Sequence, residues 1–417
     1  VPRLTDRLTE QVDAVLDRRL APGADAPLAV ALSGGGDSVA LTLMARAWAR
    51  THGRRLLVLT VDHRLRPESA AWTEICAGLA RRLGADFKAL AWTGDKPAHG
   101  LPAAARAARH GLLADAARAA GAAAILMGHT ADDLAETAVM RASGSTTPDP
   151  REWSPAPVWP QGRGVFLLRP LLGVRRAALR EWLRARGETW IEDPANADPR
   201  FARARARIEL QGSIPAPACA DLAPDLRSLV GQIGDAAALA LPRDLLRQAA
   251  PDAARAFVAA AALCAAGTAR PPRGERLTRL AEALRGDAPV IATLAGARIE
   301  ADGERIVWLR EAGEMARHGV VRLEVRPGEA AVWDGRYEIR ADRPLAVQAL
   351  GGRASRLAPA ARAALMRLPA RARGGLPMFE IDGRVLCPLL EPVEGVTVTP
   401  LAVARLRAAC GLIDREG

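Results

Sequence analysis

Three short stretches carry residues whose chemistry packing alone does not explain. The first is SGGGDS, Ser33–Ser38. Gly34, Gly35 and Gly36 let successive backbone N–H groups turn toward a ligand without steric cost. The loop follows an apolar run and precedes a helical pattern, so a helix N-terminus would add positive potential suited to phosphate. The hydroxyls of Ser33 and Ser38 can add donors. A glycine-rich turn with a Ser or Asp N-cap looks the same in isolation; strand, loop and helix in register favour the phosphate reading. A Walker loop would end in Gly-Lys-Ser/Thr. Here Asp37 stands where a lysine is expected, and an acid beside phosphates points to a bridging metal, Mg²⁺ first.

The second stretch, VDHRLRPESAAW (Val61–Trp72), puts Asp62 and His63 at a strand end. A solvated turn would suffice to explain them. In the third, GHTADDLAETAVMRASGS (Gly128–Ser145), helical spacing sets His129, Asp132 or Asp133, and Glu136 on one face. Carboxylates gathered there repel one another unless a cation sits among them. The competing explanation is an N-capped helix with acids at its positive end.

These residues need elements to position them. LAVAL (Leu28–Leu32), LLVLTV (Leu56–Val61), FKALAW (Phe87–Trp92) and AAAILMG (Ala122–Gly128) read as buried strands. Helical patterns alternate with them at 39–50, 69–83 and 102–120. That alternation predicts a Rossmann-like open parallel sheet with helices on both faces, whose ligands sit beyond the strands' carboxyl ends. All three stretches lie at such ends. SGSTTPDPREWSPAPVWPQGRG (Ser143–Gly164) reads as a long loop, and a Pro-rich joint follows Gly212. Residues 226–285 read as all-helical, with hairpin strands over 289–310 turning at Asp302–Gly303. The remainder mixes short strands with a helix near 359–366.

The net charge of +11 favours a polyanionic partner such as nucleic acid, although only Lys88 and Lys96 are lysines, so composition bias toward arginine explains part of it. The five cysteines, Cys76, Cys219, Cys264, Cys387 and Cys410, form no C-x-x-C pair, which argues against structural zinc or dithiol redox chemistry. No apolar run approaches a membrane span, and the first residues lack the apolar core of a signal peptide. A cytoplasmic protein with no membrane contact is expected.

The loop S-G-G-x-D-S resembles the pyrophosphate loop of the N-type ATP pyrophosphatases. V-D-H-x-L-R-x-E-S and G-H-x-x-D-D-x-x-E-T narrow the resemblance to the tRNA(Ile)-lysidine synthetase family. The resemblance covers about residues 28–207. It implies ATP bound by Ser33–Ser38, Asp62 and His63, and Mg²⁺ held by Asp37 and Asp133. It implies L-lysine recognised by Asp132, Asp133 and Glu136, and catalysis by Asp37, Arg109 and His129, the histidine acting as base. In LPAAARAARHGLL (Leu101–Leu113), Arg109 would stabilise charge at the α-phosphate, while Arg106 fits a solvated face equally well; His110 stands where the family has tyrosine. Thr130, Ala195 and Ala204 also depart from the family pattern.

The implied partner is tRNA(Ile) with a CAU anticodon, and the resemblance suggests a homodimer. The expected division is a catalytic domain at 1–214, a mainly helical middle domain at 215–318 and a small α+β tRNA-binding domain at 319–417. The alternatives are a tRNA 2-thiolating enzyme, which would want paired cysteines, and a non-catalytic RNA-binding protein with a degenerate nucleotide domain.

Overall fold

The computed structural model describes residues 4–417 apart from 146, 148, 195–197, 201, 211–225, 230–236, 273 and 318–321. Ala195, Cys219 and the expected joints at 214/215 and 318/319 lie outside the described residues. The chain separates into two compact units, Val1–Leu222 with Asp414–Gly417, and Ala223–Ile413.

The first unit is built around β1 (Leu28–Ala31), where small apolar residues are covered on both faces, as a central parallel strand requires. Its other strands are β2 (Leu56–Asp62), β3 (Asp86–Ala91), β4 (Ala124–Leu126), β5 (Trp153–Pro155) and β6 (Phe166–Leu168), in the order β3-β2-β1-β4-β6-β5. Every pairing is parallel except β5 with β6. The helices are α1 (Leu4–Arg19), α2 (Gly36–Thr51), α3 (Ser69–Arg82), α4 (Leu101–Ala119), α5 (Ala131–Ala142), α6 (Arg176–Arg184) and α7 (Ala202–Glu209). On one sheet face Leu8, Val12 and Leu16 of α1 pack with Val39 and Trp48 of α2 and Leu179, Trp182 and Leu183 of α6. On the other, Leu113, Ala114 and Ala117 of α4 cover Leu57, Leu59 and Ile125. The expected parallel sheet with two covered faces is therefore present. The chain leaves β1 toward β2 and later returns on its other side as β4, so the strand order reverses there and a crevice opens at the carboxyl ends.

Two expectations change. β3 is an edge strand with half its residues exposed, not a buried one. Part of the long loop forms β5, whose Trp153 stacks on Phe166 with ring centroids 4.9 Å apart. Prolines hid it in the sequence, and the sheet's edge is where a strand tolerates them.

The second unit opens with β7 (Leu239–Pro242), α8 (Arg243–Gln248), α9 (Pro251–Ala266) and α10 (Gly274–Arg285). It continues with β8 (Val290–Leu294), β9 (Ala297–Ala301), β10 (Arg305–Arg310) and α11 (Ala312–Arg317). Then come β11 (Leu323–Val325), β12 (Ala330–Trp333), β13 (Tyr337–Ala341), β14 (Leu345–Ala349), α12 (Pro359–Met366) and α13 (Ala370–Arg373). Last are β15 (Pro377–Ile381), β16 (Arg384–Leu386), β17 (Val396–Pro400) and α14 (Ala402–Ala409). The sheets run β7-β10-β9-β8, β11-β14-β15-β16 and β12-β13-β17. β7 interrupts the stretch expected to be all-helical. Leu239 and Leu241 alternate inward, a period-two pattern lost among the surrounding Ala and Leu. Leu406 and Cys410, on and just beyond α14, join the core of α9 and α10, so the segments expected at 215–318 and 319–417 share packing. Arg243, fully buried, donates to the carbonyls of Ala283, Leu284, Asp287, Ala288 and Asp302. It thereby caps the otherwise unsatisfied end of α10 with a cation, the sign that end favours.

The last four residues belong to the first unit. Arg54 and Glu416 are 3% and 7% exposed and form a two-pronged ion pair at 2.5 and 3.0 Å. Arg54 also donates to Ala26 O and Ala21 O, while Glu416 accepts from Ala21 N. A buried pair of this kind is far more costly to halve than to replace. Glu416→Gln should therefore lower unfolding free energy by about 3 kcal/mol. Urea denaturation followed by circular dichroism would check it; a change below about 0.5 kcal/mol would mean the pair is solvated and contributes as a surface bridge does.

Candidate active site

The glycine loop leaves β1 and becomes α2 at Gly36, with Gly35 as a cap that offers no side chain to the helix's first N–H groups. Those donors remain for an anion. The two serines brace the loop: Ser38 Oγ donates to Gly35 O at 2.8 Å, accepts from Ser33 N at 3.2 Å and lies 3.1 Å from Ser33 Oγ. The three glycines serve different ends. Gly34 has φ +83°, and a Cβ there would lie 2.4 Å from Ile191 Cδ1. A Cβ on Gly36 would touch the Trp190 indole at an ordinary 3.4 Å, and one on Gly35 would meet Ser33 Oγ at 3.6 Å. The segment that follows α6 thus lies over the loop, tied by Ile191 N to Gly34 O at 2.9 Å. Clearing room for a ligand explains only part of the triplet.

α5 begins after Thr130, so His129 precedes the helix rather than sharing its face. Asp133 Oδ2 accepts from both the N–H and the hydroxyl of Thr130, at 2.8 and 2.9 Å. Asp132 Oδ2 accepts from the backbone N of Arg176 at 2.8 Å, capping the start of α6. The Arg176 side chain then reaches three acids. Its Nε lies 3.0 Å from Asp37 Oδ2, Nη1 3.0 Å from Glu136 Oε1, and Nη2 3.5 Å from Asp133 Oδ2. Arg207 and Arg203 of α7 add contacts to Glu136 at 2.9 and 3.5 Å. The cation that gathered carboxylates require is a guanidinium. Burial would lower the Arg176 pKa, but Asp133, Asp37 and Glu136 push it well above its ordinary value. Burial raises Asp37 against the opposing pull of Arg176. Burial would also raise Asp133, yet Arg176, His129 and Arg203 hold it below the usual carboxylate range.

His129 is 9% exposed, and its Nδ1 accepts from Arg169 Nε at 3.2 Å. Burial first, and then the Arg169 charge, lower its pKa to about 3. Accepting at Nδ1 leaves the ring proton on Nε2, and the lowered pKa keeps the ring neutral near pH 7. Arg109 is lowered to about 10 by burial and then by Arg106 and Arg203, and its Nε has no partner. His110 is buried with neither ring nitrogen bonded, and burial lowers it to about 2. At the end of β2, Asp62 Oδ1 accepts from Arg64 N at 2.7 Å. His63, lowered by burial and then by Arg109, meets Trp92 edge-on at 6.1 Å.

One cavity of about 520 Å³ gathers most of these groups. Ser33, Gly35, Gly36, Asp37, Ser38, Asp62, His63, Arg109, His129 and Asp133 line it. Among the described residues Gly34, Asp132 and Glu136 do not. Sequence reasoning missed Arg176, Arg180, Arg203 and Arg207, which do. The Arg-Arg pair opening α6 and the alternating arginines of α7 were visible, but nothing in their spacing tied them to acids 40 to 139 positions away.

A PP-loop domain family matches residues 8–214. The chain is 50% identical to the tRNA(Ile)-lysidine synthase of Caulobacter vibrioides over 98% of both chains. It is 38% identical to that of Hyphomonas neptunium, over 72% of this chain and 85% of the other. With the Rhizobium meliloti synthase the identity is 34%, over 76% and 73%. A pyrophosphate-type loop, acids on the facing helix and likeness across nearly the whole length agree: the chain belongs to the tRNA(Ile)-lysidine synthase family.

Proposed function

We infer that this protein forms lysidine on tRNA(Ile) in an ATP-dependent reaction. The observation that carries the reading is the meeting of the Ser33–Ser38 loop with Asp133 and a wall of arginines in one cavity. In the first step the cytosine 2-oxygen attacks the α-phosphorus of ATP, and the bond to the β-phosphate oxygen breaks, releasing pyrophosphate. In the second the lysine ε-amine attacks C2 of the base. The C–O bond breaks, AMP leaves with the electron pair, and the proton shed by the attacking nitrogen passes to bulk water.

The residues divide this work. The N–H groups at the start of α2 bind the departing phosphates. Arg109, half-buried with a covered, unpartnered Nε, suits the charge that develops at the α-phosphate. Asp37 and Asp133 already converge on one guanidinium, which fits them to hold Mg²⁺. Among the described residues no three His, Cys, Asp or Glu side chains could hold a metal by themselves, so phosphate oxygens would complete its shell. When bound, the ion supplies positive charge to the leaving pyrophosphate. Glu136 and Asp133 bind a lysine ammonium, and Glu136 Oε2 has no hydrogen bond in the protein alone. Asp132 serves α6 as a cap. His129 donates from Nε2 rather than removing a proton.

The wobble cytidine of a CAU anticodon is single-stranded, so turning it into the cavity costs only about a few kcal/mol. Exposed Arg356 and Arg371 of the second unit suit phosphate contacts, although Arg356 also meets Glu380 at 2.8 Å. No described helix is long and apolar enough to cross a membrane, and a cytoplasmic homodimer completes the reading. A thiolating enzyme fits poorly. The four described cysteines are buried and free, and burial pushes Cys264 and Cys410 up to about 12, far from a reactive thiolate.

The reading is tested by incubating the protein with tRNA(Ile), ATP and labelled lysine and analysing the wobble nucleoside by mass spectrometry. Lysine should be incorporated with AMP and pyrophosphate formed in equal amounts; a thiolated or unmodified nucleoside would overturn the assignment. Asp37→Ala should reduce pyrophosphate release about 100-fold or more. Full release in that variant would remove Asp37 from the metal and phosphate chemistry. Glu136→Gln should raise the lysine requirement by roughly 2–3 kcal/mol and leave that for ATP nearly unchanged. Titrating the two substrates separately would check this; a shift confined to ATP would move Glu136 to the metal side.

A further inference from the structure

We propose that the Arg176 guanidinium is a stand-in cation that incoming ligand cations displace, and that its displacement couples nucleotide binding to lysine binding. The proposal rests on the reading above, in which Asp37 faces the metal–nucleotide and Glu136 with Asp133 faces lysine. Three observations support it. First, among the described residues Arg176 is the arginine that contacts acids on both sides, with Asp37 on one and Glu136 and Asp133 on the other. The contacts of Arg203 and Arg207 are to α5 acids.

Second, the Glu136 side chain is 2% exposed and does not line the cavity, whereas Arg176, Arg203 and Arg207 do. An ammonium entering from the cavity reaches Glu136 only if a guanidinium moves. Glu136 Oε2, buried and without a hydrogen bond, faces Arg203 Nε at 3.5 Å and can take a closer donor when that happens.

Third, the root of Arg176 is fixed while its tip need not be. Its backbone N is held by Asp132 at 2.8 Å, so the side chain can change rotamer without shifting α6. Nucleotide phosphates bring anionic oxygens that a displaced guanidinium can bind in its fork geometry.

The coupling follows from shared competition. A metal–nucleotide on Asp37 removes one of the three contacts that hold Arg176 in place. Lysine then displaces a more weakly held competitor and binds more tightly. By linkage, lysine must strengthen nucleotide binding by the same factor.

The test is calorimetric titration of the full chain with lysine, without tRNA, in the presence and absence of Mg²⁺ and α,β-methylene-ATP. In the unaltered protein, nucleotide should tighten lysine binding roughly tenfold, and lysine should tighten nucleotide binding equally. In Arg176→Gln, lysine should bind the nucleotide-free protein more tightly than it binds the unaltered protein, and the enhancement should shrink to about twofold or less. Arg176→Lys, which keeps the charge but loses the fork, should fall between. No enhancement in the unaltered protein overturns the proposal, and that measurement stands even if Arg176→Gln fails to fold. Full enhancement in Arg176→Gln overturns it as well, and loss of lysine binding there would make Arg176 part of the lysine site. Unchanged lysine affinity in Glu136→Gln would instead remove the lysine reading beneath it, and the proposal would fall with that reading.

Discussion

Carboxylates brought together behind a phosphate loop cannot be left bare in a partly buried site. That electrostatic constraint organises the first unit. Asp37 comes from the first turn of α2, just past the loop that follows β1, while Asp133 and Glu136 come from the helix after β4; the strand order places these neighbours at the crevice. Two neighbouring acids of α5 are held locally, Asp133 by the Thr130 cap and Asp132 by the start of α6. The cationic side must then come from elsewhere in the chain. α6 and α7 supply it, α6 from a helix whose Leu179, Trp182 and Leu183 pack into the core.

Arginine suits these tasks because its planar fork can satisfy several acceptors at once, where a lysine offers a point charge. Arg176 bridges three acids, Arg54 pairs in two prongs with Glu416, and Arg243 covers five main-chain carbonyls. Arg169 holds His129 through Nδ1 and also donates to Arg151 O and Ser154 Oγ, which ties β5 to the site. A composition with two lysines and a net charge of +11 therefore does not translate directly into a surface for nucleic acid. Part of that charge lies inside, holding elements in place.

The local patterns were readable in the sequence. Apolar runs marked β1, β2, β3 and β4, and a loop between strand and helix marked the phosphate site. Their lateral order is not readable there, and so the apolar pattern of β3 predicts a buried strand where an edge strand stands. β5 was hidden by prolines, and β7 by an alanine- and leucine-rich context. In the site, residues attached to a motif were found; their partners were not. Arg176 lies 139 positions from Asp37 and 40 from Glu136, and no periodicity links residues that meet only through a folded sheet. His129 was legible as an imidazole near the reaction. Its neutrality was not, because burial and the Arg169 charge are properties of the folded neighbourhood. The glycine triplet suggests a single purpose, whereas Ile191 fills the space beside Gly34.

The Arg54–Glu416 pair also bears on how the chain is made. A ribosome delivers Arg54 early, and its partner 362 residues later, after the whole second unit has been synthesised. Throughout that interval the nascent first unit carries a guanidinium destined for the interior without its counter-charge, and the segment around Ala21 and Ala26 lacks part of its anchor. Domains that fold during synthesis ordinarily do so in order from the N-terminus. Here the first unit can collapse early but reaches its final stability only when residues 414–417 arrive. A chain that stalls or is clipped within the second unit would lack Glu416 and leave the Arg54 guanidinium without its counter-charge, a gap open to chaperones and proteases.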